Sequence, residues 1–285
     1  MRSTDLTKKT KYLLVTCCKE PSRREILDRV IEQLLTRKCV HGLLMNLTVI
    51  DNGSTDDTVE MLKGALNVPV YRCSENLGYW SAIKWYFDNI DTGDAEFIHI
   101  IESDHFYYGD MRRLGEAENF LLTHDDVGAV RLQEYSVKDQ HLYNKGLGRG
   151  DGRKYAWVTH KNGVTGEAVT LTESAHEGIY VTNFLSQLHA MNRLDALKET
   201  FNALGVGKKF SEFDWQRLYH GHYQKVAILD GGIFHAKLGF TPHNPRALSG
   251  SWSKDVSSVG YRTTRQDTIL QYPEGTVVDA WQTED

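Results

Sequence analysis

Three apolar runs in the first part of the chain each stop on a polar turn. "KYLLVTCC" meets Lys19-Glu20-Pro21, "LLMNLTVI" meets Asp51-Asn52-Gly53, and "EFIHIIES" runs into Asp104-His105. Between them lie stretches with apolar residues at helical spacing. In "SRREILDRVIEQLL", Ile26, Val30, Ile31 and Leu34 fall on one side. "STDDTVEMLKGAL" and "YWSAIKWYFDNI" read as two further helices, with a short strand, "VPVYRC", between them. Runs that are apolar at every position are strands buried on both faces. Strands alternating with helices build βαβ units around a parallel sheet. The expectation is an α/β fold: a Rossmann-like, mostly parallel sheet flanked by helices. Ser22 is the expected N-cap of the first helix, and Ser54 or Thr55 that of the second.

After Asp104 the pattern loosens. "DMRRLGEAENFLLTH" predicts a helix and "VGAVRLQEY" a strand. "TNFLSQLHAMNRLDALKETFNALG" holds at least one helix, and "SEFDWQRLYHGH" a short one. "QKVAILDGGIFHAK" reads as two strands paired around Asp230-Gly231-Gly232, and the tail from Gly239 as irregular wrapping. The chain therefore divides into an α/β half, residues 1–110, and a mixed half, residues 111–285, within one domain.

A net charge of −5 over 285 residues argues against nonspecific nucleic-acid binding over the whole surface, though not against a local basic patch. The four cysteines, Cys17, Cys18, Cys39 and Cys73, have no metal-type spacing, and read as reduced, small apolar residues. No apolar run reaches membrane-spanning length and "MRSTDLTKKTK" lacks the apolar core of a signal peptide, so a cytoplasmic location is expected.

In open α/β sheets, ligands collect outside the carboxyl ends of the strands. Three stretches there carry chemistry. In "VIDNGSTDDT", Asp51 stands at a strand tip, where a carboxylate can accept hydrogen bonds from a nucleobase or ribose. The same residues also suit a plain turn with a cap. In "ENLGYWSAI", Asn76 and Gly78 turn the chain after the third strand. In "FIHIIESDHFY", Glu102, Ser103, Asp104 and His105 emerge together from an apolar strand. Two carboxylates and an imidazole suit a divalent ion.

In their order and spacing these three motifs resemble the GT-A fold glycosyltransferases, especially glycosyltransferase family 2. The stretch from Leu188 to Lys237 is similar to that family's acceptor-side segment. The resemblance covers about two thirds of the chain and leaves Tyr135 to Gly178 without a counterpart. It implies transfer of a hexose or pentose from a nucleoside diphosphate sugar, UDP-linked, to an acceptor hydroxyl, with inversion. Asp51 would hold the base, Asn76 and Gly78 would line the pocket, and Thr16 to Glu20 would form the opposite wall. Glu102-Ser103-Asp104 stands where the family has Asp-x-Asp. Glu102 and Ser103 are then donor contacts, with Glu102 reaching the ribose or the metal. Asp104 and His235 are the ligands of Mn²⁺ or Mg²⁺, with His105 as rival. The offset of diphosphate charge by such an ion is the usual chemistry.

Inversion needs a carboxylate base. Glu212 and Asp214 are the candidates, in "SEFD", where the family has Glu-Asp. Ser211-x-x-Asp214 resembles a capping box, which would occupy Asp214 and favours Glu212. Between Asn144 and Gly163, Lys145, Arg149, Arg153, Lys154 and Lys161 alternate with glycines, Tyr155 and Trp157. Local positive charge with aromatics suits an acceptor site, for a saccharide or a hydroxylated nucleic-acid base.

Two other classes stay open. A nucleotidyltransferase should carry a Gly-rich phosphate loop after the first strand, and "TCCKEPSRRE" has no glycine. A non-catalytic nucleotide- or sugar-binding module would keep the Asp51 pocket without Glu212 or His235. No Gly-x-Gly-x-x-Gly follows a strand, which disfavours a Rossmann dehydrogenase.

Overall fold

The alternation of the first hundred residues becomes four parallel strands. In the computed structural model, which describes residues 9–19, 21–36, 41–103, 105–107, 112–133, 167, 170–183, 190–230, 233–235, 268–272 and 275–281, they are β1 (Thr10–Thr16), β2 (Leu47–Asp51), β3 (Val70–Cys73) and β4 (Phe97–Glu102). They lie side by side in the order β3-β2-β1-β4. Helices α1 (Pro21–Thr36), α2 (His41–Met45), α3 (Thr58–Ala65) and α4 (Tyr79–Asn89) fill the connections.

The later elements extend the same sheet. After β5 (His105–Tyr107) come α5 (Arg112–Thr123), β6 (Val127–Gln133), β7 (Leu171–Glu173), β8 (Ile179–Thr182), β9 (Ala190–Arg193), α6 (Leu194–Leu204), β10 (Lys209–Phe210), α7 (Glu212–His222), β11 (Lys225–Asp230), β12 (Ile233–His235), β13 (Thr268–Ile269) and β14 (Val277–Trp281). Among the described residues, ten strands form one mixed sheet, β14-β3-β2-β1-β4-β9-β6-β11-β8-β7. β9 is antiparallel to both its neighbours, β11 is parallel to β6, and β14 is antiparallel to β3. One sheet therefore crosses residue 110. The remaining described strands form two small pairs, β10-β13 and β12-β5.

Adjacent residues of β1 serve opposite layers, as a doubly buried strand requires. Tyr12 and Leu14 join Val49, Val70 and Phe97 against α1, α3 and α5. Leu13 and Val15 join Ile50, Ile98 and Ile100 against α4, α6 and α7. Leu13 and Leu14 are both fully buried, and each such side chain contributes about 1.5–3 kcal/mol relative to exposure. Trp80, Phe201, Phe210, Trp215 and Tyr219 form an aromatic layer on the second face. Arg193, ending β9, donates to the carbonyls of Leu121 (2.8 Å), His124 (3.0 Å) and Val127 (2.9 Å), and its guanidinium lies over the Phe97 and Tyr223 rings. It thus satisfies a carbonyl in the last turn of α5 and others just beyond it.

Several expectations are corrected. "LLMNLTVI" is not one strand: Leu43 to Met45 belong to α2, and the chain turns before Leu47. α1 begins at Pro21, so Ser22 lies inside the first turn, where Pro is the favoured opener. α3 begins at Thr58 and its N-cap is Asp57, three residues beyond Ser54, which is otherwise engaged. The strands flanking Asp230 do not pair with each other. β11 sits between β6 and β8, whereas β12 pairs with β5. The tail is not merely irregular, because β14 caps the sheet at β3. Among the described residues no helix is long and apolar enough to cross a membrane.

His99, at the centre of β4, is fully buried; burial lowers its pKa from 6.5 to about 4, against a hydrogen bond with the Ala190 backbone that raises it. Above 6.5 the ring is neutral in both states. Between 6.5 and 4 the unfolded chain takes up the proton and the folded one does not, so stability falls as pH falls through that window. Unfolding free energies from urea titrations at pH 7.5 and pH 5 should show about 2 kcal/mol more loss in the native protein than in His99→Gln. Equal losses in the two proteins would contradict this assignment.

Candidate active site

The carboxyl ends of β1, β2 and β3 meet in register: Thr16 is opposite Asp51, and Asp51 is opposite Arg72. Asp51 is fully buried. One carboxylate oxygen accepts from the Ser54 hydroxyl and the other from the Ser54 N–H at 3.2 Å. Burial raises its pKa; the two Ser54 bonds and the charge of Arg72 oppose the shift without reversing it. Each oxygen can still accept a second donor. Ser54 also receives the Cys18 N–H at 2.7 Å, so the loop after β2 is held to the loop after β1. Thr16 is buried, with its carbonyl accepting the Asn52 N–H at 2.7 Å.

Asn52 carries the join to the third loop. Its Nδ2 donates to Asn76 Oδ1 at 3.0 Å and its Oδ1 accepts from the Leu77 N–H at 2.9 Å. Asn76 Oδ1 also receives the Gly78 N–H at 2.8 Å, and Asn76 Nδ2 reaches Cys17 Sγ at 3.4 Å. Asn76 and Gly78 themselves are exposed at the rim, with Gly78 at φ +82 as the N-cap of α4. Gly53 passes so close to the third loop that a Cβ there would lie 2.5 Å from the Glu75 carbonyl carbon.

Glu102 ends β4 opposite Val15 and Ser103 follows in the turn, both half-buried. Asp104 lies outside the described residues. His105, the next residue in the chain, stands directly opposite His235 in the β5-β12 pair. The β5-β12 pairing therefore brings the segment that follows β4 alongside the segment that follows β11. The side chains of His105 and His235 lie outside the described set. Among the described residues, no group of three or more His, Cys, Asp and Glu side chains could hold a metal.

The start of α7 carries the capping box that the sequence suggests. The Asp214 carboxylate accepts the Ser211 N–H at 2.8 Å and the Ser211 hydroxyl at 2.7 Å, and the Asp214 N–H donates back to Ser211 Oγ at 3.3 Å. These Ser211 bonds, with the charge of Arg217, hold Asp214 below the ordinary carboxylate range. Glu212 is the first residue of the helix, and its side chain lies outside the described set. Trp80, just after Gly78, packs against Phe210 and Trp215 on either side of this turn, with ring centroids 5.5 and 5.8 Å away.

Glu20, Arg149, Arg153, Lys154, Tyr155 and Trp157 lie outside the described residues. Sequence reasoning missed Asn52, Ser54 as a partner of Asp51, and Arg72. The last had a readable signal: a charge near the end of an apolar strand, the feature that singled out Asp51. The three described cysteines are free thiols; burial pushes Cys73 up to about 12, with Asp51 and Cys17 adding to the shift.

Compared with known families, residues 12–201 match the model described as glycosyl transferase family 2. No curated protein matches the chain. Among solved structures, the crystal structure of S. aureus TarS is similar at 16% identity and a TM-score of 0.46, over 80% of this chain and 37% of that one. The chain thus spans little more than a third of that structure's length. UDP-glucose pyrophosphorylase complexed with UDP-glucose is similar at 11% identity and a TM-score of 0.41, over 81% of this chain and 94% of that one.

Two glycines separate backbone strain from crowding at this site. Gly53 (φ +78) has both, whereas Gly78 (φ +82) has nothing within 4 Å of a new Cβ. Gly78→Ala should cost about 1–2 kcal/mol in thermal or urea melts, and Gly53→Ala about 2–5 kcal/mol because the third loop must also move. Equal costs at the two positions would show that the close approach is relieved without penalty.

Proposed function

The chain belongs to glycosyl transferase family 2, a glycosyltransferase of the GT-A fold, and we propose that it moves a hexose or pentose from a UDP-linked donor to an acceptor hydroxyl with inversion. The observation that supports this most is the bonded rim of three loops around Asp51, at the sheet edge where an α/β fold offers its strand ends to a nucleotide. Asp51 would accept from the base and Arg72 would keep that carboxylate's charge balanced. Asn76 and Gly78 would line the pocket, Thr16 to Glu20 would stand opposite, and Glu102 and Ser103 would approach the ribose.

Mn²⁺ or Mg²⁺ bound by Asp104 and His235 would offset the charge of the leaving diphosphate. The acceptor proton goes to Glu212. Asp214 is the poorer base, because its carboxylate already accepts two bonds from Ser211 and is held acidic by them. The acceptor is a saccharide or a hydroxylated nucleic-acid base, met by the segment holding Arg149, Arg153, Lys154, Tyr155 and Trp157.

Two measurements test these roles. Glu212→Gln should lower turnover by roughly two to four powers of ten and leave donor binding unchanged. Asp214→Asn should instead cost about 1 kcal/mol of stability through the cap, with turnover within a few-fold of native. The reverse pattern would transfer the base to Asp214. In calorimetric titrations with UDP, Asp104→Ala should abolish the Mn²⁺-dependent part of the affinity; an unchanged Mn²⁺ dependence would remove Asp104 from the metal site.

A further inference from the structure

Ser81 lies in the second motif, one helical turn after Gly78, and is buried. Its hydroxyl reaches a distant part of the chain. It donates to the Ile269 carbonyl at 3.4 Å and accepts the Gln271 N–H at 3.2 Å. The same short segment is bonded on its other side to the approach to α7. Gly207 N–H donates to the Leu270 carbonyl at 2.7 Å, and Thr268 and Ile269 pair with Phe210 and Lys209 in β13-β10. Phe210 is followed directly by Ser211, the cap of α7. Leu270 is fully buried in the layer that holds Trp80, Phe210 and Trp215. Farther on, the Thr276 carbonyl accepts the Ser74 N–H at 2.8 Å, just before the Asn76 loop.

Residues 268–271 are thus a strap with one side on the donor-loop helix and the other on the turn that starts the helix of the base. We propose that Ser81 is a positioning residue of the transfer step: through this strap it sets the separation between the Asn76-Gly78 rim and the start of α7. This rests on the transferase reading above. Placement matters because reacting groups held together gain their advantage only in near-attack geometry, and a displacement of about 1 Å can cost on the order of 100-fold in rate. The buried Ser81 hydroxyl is engaged by Ile269 and Gln271, so its loss should leave the donor pocket formed and spoil the alignment.

The test compares Ser81→Ala with Gln271→Pro, which removes the partner N–H at an exposed position and serves if the buried change prevents folding. Each variant should lower turnover about tenfold or more while the UDP dissociation constant stays within about twofold, and the double variant should be no slower than the worse single one. Without donor or turnover, amide exchange over residues 209–216 should speed up in each variant, while exchange in β1 does not. A native protein that transfers no sugar would sink the transferase reading and leave the exchange arm to judge the strap. Native-like exchange at 209–216 in both variants, or unchanged turnover with only a lowered Tm, would overturn the role of Ser81.

Discussion

The Asn52 side chain is the interaction on which the site depends. Its backbone N–H binds the end of β1, and its carboxamide binds Asn76 and Leu77 in the loop after β3. Three loops that would otherwise fray at a sheet edge are fixed to one another through a single residue. Ser54 does the same work one layer deeper, joining Asp51 to the Cys18 backbone. The fit has a steric condition: a side chain at position 53 would meet the Glu75 backbone and force the third loop to shift. A rim made this way is held by hydrogen bonds that run across all three loops.

The second face of the sheet holds the other half of the site by packing rather than by hydrogen bonds. Trp80 touches Phe201, Phe210 and Trp215, and Trp215 stacks on Tyr219. This layer locks α4, α6 and α7 together, so the helix that follows the Asn76 loop and the capping-box helix share one core. Arg193 anchors the far end, where β9 enters between β4 and β6, by donating to the Leu121 carbonyl in the last turn of α5 and to the His124 carbonyl just beyond it. The rim is thus joined by hydrogen bonds and the base beneath it by aromatic packing.

How far the sequence alone reached follows from what each signal measures. Runs buried on both faces, such as Leu13 to Val15, announce strands because every position is apolar, and Ile98 to Ile101 does so despite the buried His99. The same logic misread Leu43 to Met45, since a short apolar run does not distinguish strand from helix; Met45 is in fact largely exposed. Ser54 has the chemistry of a cap, but the partner it finds is Asp51, a choice made by the turn. β9 could not be read locally. "AMNR" has little strand character, and Asn192 is buried there because the gap between β4 and β6 must be filled. The capping box was legible because both partners lie within four residues. The opposition of His235 to His105 was not, since strand pairing over that distance leaves no mark in either segment.

The position of β14 bears on how the chain comes to be folded. Its partner, β3, is roughly two hundred residues earlier, and pairings of such separation are late and slow. During synthesis the parallel strands can assemble while one side of β3 still presents unpaired N–H and C=O groups, an open template for another chain. The strand that closes it also carries the neighbouring segment that bonds to Ser74. A ribosome-bound chain stalled before β14 should therefore be the form most in need of a chaperone, with a finished core and an unfinished border.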